Sequence, residues 1–145
     1  MRMTLRWLVL LVVCGVAPVA ARAQTPLPTI SVSYRQFTLP NGLTVILHQD
    51  RKVPVVAVNI WYHVGSANER PGRTGFAHLF EHMMFKGTRT VADGEFDRLL
   101  DEAGAEGQNA YTTQDHTTYI EELPKERLEL IMKLESDRMR NLVVN

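Results

Sequence analysis

The 145 residues are enough for one ordinary domain at most, and 45% hydrophobic with 22% charged residues is the composition of a globular protein rather than a disordered or fibrous one. The formal net charge is zero. Three of the sixteen basic residues, Arg2, Arg6 and Arg22, fall within the first 23 positions, which hold no acid, so the remainder carries 13 basic against 16 acidic residues. That acidic surplus argues against a nucleic-acid partner, which needs clustered Lys and Arg.

Residues 1–23 have the pattern of a secretory signal peptide. Arg2 and Arg6 form a basic start, Trp7 to Val16 is apolar, and Ala21-Arg22-Ala23 is a small-x-small cleavage site before Gln24. The apolar run is broken at Gly15 and Pro18 and is shorter than the ~20 residues of a membrane-spanning helix. The expectation is an exported protein, periplasmic or secreted, with no membrane span after cleavage. Cys14, the only cysteine, would leave with the leader, so any metal site must use His, Asp and Glu.

Residues 24–34 read as a Pro/Ser/Thr-rich lead-in. Arg35 to Leu39 and Leu43 to His48 read as two strands joined at Asn41-Gly42, a tight hairpin turn. Val53 to Val64, rich in Val, Ile and aromatics, predicts a long buried strand, and Gly65 to Gly75 a polar loop. Thr74 is placed to cap a helix from about Gly75 to Phe85. Asp93 to Ala103 predicts a second helix, ended by Gly104 and Gly107. Gln108 to Thr113 and Thr117 to Glu122 predict strands around Gln114-Asp115. Pro124 suits the first turn of a final helix carrying Leu128, Ile131, Met132, Leu134 and Met139. Early strands joined by hairpins predict an α+β fold, an antiparallel sheet packed by helices. The acids from Glu121 to Glu135 read as a solvated helix face.

The strongest chemical signal is His78-Leu79-Phe80-Glu81-His82. On a helix, His78, Glu81 and His82 share an arc of about 100°, with Leu79, Phe80, Met83 and Met84 on the other side. Two neutral imidazoles one turn apart can chelate Zn²⁺, and a catalytic site keeps one position open for water. Glu81 is placed to take that water's proton and pass it to a leaving amine. The H-x-x-E-H pattern is the inverzincin signature. A pentapeptide can arise by chance, and a solvated face with two His and one Glu is the plain alternative; the flanking residues decide against it. His48, His63 and His116 are lone histidines and read as surface or internally satisfied residues.

The motif sits in Gly72-Arg73-Thr74-Gly75-Phe76-Ala77-His78-Leu79-Phe80-Glu81-His82-Met83-Met84-Phe85-Lys86-Gly87-Thr88. This block resembles the active-site helix of the M16, insulinase- and pitrilysin-like, zinc metallopeptidases. Asn41-Gly42-Leu43 with Val45 resembles their opening hairpin. Asn109-Ala110-Tyr111-Thr112 with Asp115, Thr117 and Tyr119 resembles their substrate-side strand, and Glu135, Asp137, Arg138 and Met139 their following helix.

The resemblance implies zinc as cofactor, His78 and His82 as ligands and Glu81 as general base. It places Asn109, Ala110 and Tyr111 on an edge strand that pairs with an extended peptide or unfolded polypeptide. Asn109 also reads as a turn residue after Gly104 and Gly107. The family's third ligand, a glutamate, lies further along than the 63 residues that follow His82, and none of Glu121, Glu122, Glu129 and Glu135 matches its position. Glu135 instead suits a structural partner of Arg138 or Arg140. Residues 35–145 are therefore expected to be the N-terminal portion of a peptidase domain, inactive without that ligand and a second M16-like domain or subunit. The alternatives are a non-catalytic binding or scaffold subunit, whose relatives typically lose the H-x-x-E-H residues kept here, and a fragment that does not fold alone.

Overall fold

A computed structural model of the chain describes residues 31–144. The signal-peptide residues 1–23, and the lead-in up to residue 30, lie outside the described residues. Two compact units emerge, one ending at His48 and one beginning at Gln49.

The first unit is a hairpin of β1 (Arg35–Thr38) and β2 (Thr44–Leu47), in register from Arg35 opposite Leu47 to Thr38 opposite Thr44. Its turn closes because Gly42 takes a φ of +91°, which costs a residue without a Cβ nothing. The Asn41 carboxamide accepts the Leu43 N–H at 3.2 Å.

The second unit is built on an antiparallel sheet of β3 (Val55–Tyr62), β4 (Glu106–Thr112) and β5 (Thr117–Pro124) in the order β3-β5-β4. Three helices accompany it: α1 (Phe76–Met83), α2 (Glu95–Glu102) and α3 (Leu128–Asn141), the last entered through a short 3₁₀ turn at Lys125–Arg127. The expected α+β architecture is the one observed. Period-2 alternation sends Val56 and Val58 of β3 and Leu123 of β5 to one face, where they meet Phe96 and Leu100 of α2 and Ile131 and Leu134 of α3. Each such aliphatic side chain removed from water contributes about 1.5–3 kcal/mol, so this layer anchors α2 and α3 to the sheet. No helix among the described residues is long and apolar enough to cross a membrane.

Two expectations need correction here. The Val53–Val64 segment is not a buried strand: β3 covers Val55–Tyr62 and alternates, with Val55 and Trp61 half or more exposed. Asn59 in mid-run is the sign of that open face. The acids from Glu121 to Glu135 are not one solvated helix face either. Glu121 lies on β5, and it and Glu135 are buried with Arg138. Arg138 donates from Nη2 to Glu121 Oε1 and from Nε to Glu135 Oε2, both at 2.9 Å. Its guanidinium carbon sits 4.3 Å from the ring centre of Tyr119 and 4.7 Å from that of Phe96. Burying these three ionisable groups is tolerable only with such pairing and with the faces of aromatic rings around the cation. Glu135 thus has the Arg138 partnership its sequence context suggested.

Candidate active site

The helix α1 begins at Gly75, whose φ is +90°, and Thr74 does not cap it. The cap comes from further back. The Glu69 carboxylate accepts the N–H of Gly75 and the N–H of Ala77, each at 2.8 Å, satisfying two of the donors that a helix start leaves free. A carboxylate there also meets the positive end of the helix dipole. No local sequence signal marks Glu69, because it acts across six to eight residues.

The loop carrying Glu69 is itself pinned to the turn between β4 and β5. Ser66 N–H donates to Thr113 O at 3.0 Å and Ala67 N–H to Gln114 O at 2.8 Å. At Gly65 the two backbones approach so closely that a Cβ would stand 2.5 Å from Thr113 O.

From this start α1 turns Ala77 and Glu81 inward, chiefly against β4, and leaves His78 and His82 exposed. Leu79 and Phe80, on its apolar side, stay about half exposed. The two imidazoles converge, with Nε2 to Nε2 at 3.1 Å. Tetrahedral zinc bound at ~2.0–2.1 Å by two nitrogens sets them about 3.3 Å apart, so the pair fits a shared metal with little adjustment. Glu81 is 7% exposed, and its Oε2 accepts a hydrogen bond from the Thr112 hydroxyl at the end of β4.

No group of three His, Cys, Asp or Glu side chains that could hold a metal is present among the described residues. The candidate carboxylates are otherwise placed: Glu121 and Glu135 on Arg138, Glu129 exposed beside Lys133 at 3.0 Å, and Glu122 exposed at the sheet surface. The lone histidines do not join the pair. His116 stacks on Trp61 at 4.4 Å and contacts Asp115 and Thr113, and His48 contacts Ser33 O.

Within the described residues β4 is an edge strand, paired only with β5. It begins two residues before the expected Gln108, running through Gly107 with an irregularity in register between Glu106 and Asn109. The sequence-derived site residues meet around Glu81. A cleft of 370 Å³ is lined by His78, Glu81, Ala110, Tyr111 and Thr112, and one of 550 Å³ by Glu81, His82, Asn109 and Ala110 among others. The fold thus sets a helix bearing two histidines and one carboxylate beside a strand edge that is free among the described residues. Glu69 and Thr112 are the residues that sequence reasoning did not single out for the site.

The family model for insulinase-type peptidases, peptidase family M16, matches residues 44–144. The chain is 36% identical over 135 residues to the zinc protease PqqE of Helicobacter pylori, covering 92% of this chain and 29% of that protein. It is 36% identical over 103 residues to an uncharacterized zinc protease of Rickettsia bellii, covering 71% of this chain and 25% of that one. A solved protease from Helicobacter pylori superposes with a TM-score of 0.75 at 34% identity over 79% of this chain and 27% of its own. The chain belongs to the M16 peptidase family. It spans less than a third of the length of these relatives.

Proposed function

We propose that this chain carries the zinc-binding helix and substrate-pairing strand of a metallopeptidase, with His78 and His82 as ligands and Glu81 as general base. What carries the reading is the pair of imidazoles facing each other at 3.1 Å, with Glu81 on the same helix turned toward the β4 edge. Zinc held there would polarise a water and the scissile carbonyl. Glu81, fixed in a largely dry position, takes the water's proton and delivers it to the leaving amine. Asn109, Ala110 and Tyr111 align an extended peptide by main-chain pairing along the free edge of β4. The third ligand comes from outside the described residues, and a second M16-like domain or subunit covers the substrate. The kept His78, Glu81 and His82 favour catalysis over a scaffold role. Export through residues 1–23 completes the proposal.

The test uses the full-length protein. Elemental analysis should find stoichiometric zinc, and hydrolysis of a denatured polypeptide should stop on chelation. His78→Ala or His82→Ala should lose both metal and activity. Stoichiometric zinc retained in either variant would sink the ligand assignment.

A further inference from the structure

Glu81 is held from the end of β4 by a hydroxyl that is itself backed by a second one. Thr112 closes β4, lies opposite Thr117 at the start of β5, and donates to Glu81 Oε2. Its oxygen also lies 3.2 Å from that of Thr117, and Thr117 in turn donates to the carbonyl of Val64, just past β3, at 3.0 Å. Each hydroxyl has one proton. That of Thr112 is committed to Glu81 and that of Thr117 to the Val64 carbonyl, so the two threonine oxygens meet as a close contact without a proton of their own. Thr117 is 5% exposed, and a β-branched side chain has few rotamers, so the Thr112 hydroxyl has little freedom to turn away.

We propose that Thr112 is the positioning residue for Glu81 in peptide hydrolysis. The inference rests on the reading of Glu81 as general base. A buried carboxylate needs a donor to offset its lost hydration, and the one supplied here engages Oε2. Among the described residues Oε1 accepts no hydrogen bond, and Glu81 borders both clefts. Thr112 therefore selects which oxygen is occupied by the protein and which is left for the water, and it fixes the carboxylate plane against rotation about its terminal torsion. Thr112 also lines the cleft beside Ala110 and Tyr111, but in this role it works through Glu81, with the buried Thr117 side chain packed against it.

The experiment compares Thr112→Val, Thr112→Ser and Glu81→Gln in the full-length protein, measuring kcat, KM and bound zinc on one peptide substrate. Thr112→Val keeps the shape of the side chain and removes the hydroxyl. It should lower kcat about 10- to 100-fold, the loss expected for one hydrogen bond to a charged group, with KM within about twofold and zinc unchanged. Thr112→Ser, which restores the hydroxyl on a smaller side chain, should return kcat to within about threefold of the parent. Wild-type kcat in Thr112→Val, with Glu81→Gln inactive, would overturn the positioning role while leaving Glu81 as base. A Thr112→Val defect that includes zinc loss, or that Thr112→Ser does not repair, would make Thr112 a structural residue and also overturn it. Substantial turnover by Glu81→Gln would remove the base assignment itself, and this inference with it.

Discussion

Two clusters of ionisable side chains lie in the second unit of this chain and meet opposite ends. Glu121, Glu135 and Arg138 are all at most 1% exposed, and the cation is closed in by carboxylates and aromatic rings. His78 and His82 stand exposed, with their Nε2 atoms turned toward each other and in contact with no other residue's polar atoms among the described residues, and only Glu81 of that trio is buried. In the first cluster the protein consumes its own charge, which is a structural use. In the second it leaves binding capacity unspent at a cleft, which is the condition for holding something that is not protein. The same residue types serve stability or chemistry according to whether their partners come from the chain.

That contrast can be broken by removing one member from each cluster. Glu81→Gln in the full-length protein should lower kcat by about 10²- to 10⁴-fold, the range for losing a general base, while bound zinc stays stoichiometric. Loss of metal along with activity would show that Glu81 holds the ion rather than acts on the water. Arg138→Met should do the reverse, leaving two carboxylates buried without their cation. A cost of about 3–5 kcal/mol to the folded domain is expected, read as a lower urea midpoint and faster hydrogen exchange along α3. An unchanged midpoint would mean the cluster is not the closed structural unit described.

Proton linkage sharpens the same point. Burial first, and the charge of Glu135 second, push the Glu121 carboxyl from its ordinary 4.5 up to about 8. The unfolded chain releases that proton near 4.5 and the fold retains it to about 8, so stability is full below the lower value and declines as pH rises through the window. Glu121→Gln should flatten the decline in a denaturation series from pH 5 to 8; an unaltered slope would assign it to other groups. The smallest effect is expected at the edge strand. Ala110→Trp should raise KM or lower kcat/KM with zinc unchanged, because a peptide pairing with β4 as proposed would pass close to this position. Unaltered kinetics would put the substrate elsewhere.

Much of this was legible in the residues. The H-x-x-E-H block placed α1 to within about two residues at each end, and the glycines and β-branched runs located α2, β4 and β5. What escaped detection depended on partners distant in sequence. Tyr119, Glu121 and Leu123 alternate toward one face, so period 2 already put Glu121 among apolar neighbours, yet only the arrival of Arg138 from α3 makes that burial tolerable. Thr74 had the right chemistry for a cap at the right place, but Glu69 reached the same backbone donors from an earlier loop. Thr112 was visible only as part of a strand, because its role depends on how α1 lies over β4.

The close approach at Gly65 has a mechanical consequence. A single methyl group there would collide with backbone, not with a side chain that can swing aside, so the loop would have to lift from the turn between β4 and β5. Glu69 rides on that loop four positions later, and with it the anchorage of α1. Gly65→Ala would therefore act as a wedge whose thrust reaches the imidazole pair, thirteen residues downstream at its nearer member, through the Glu69 carboxylate that anchors the start of α1.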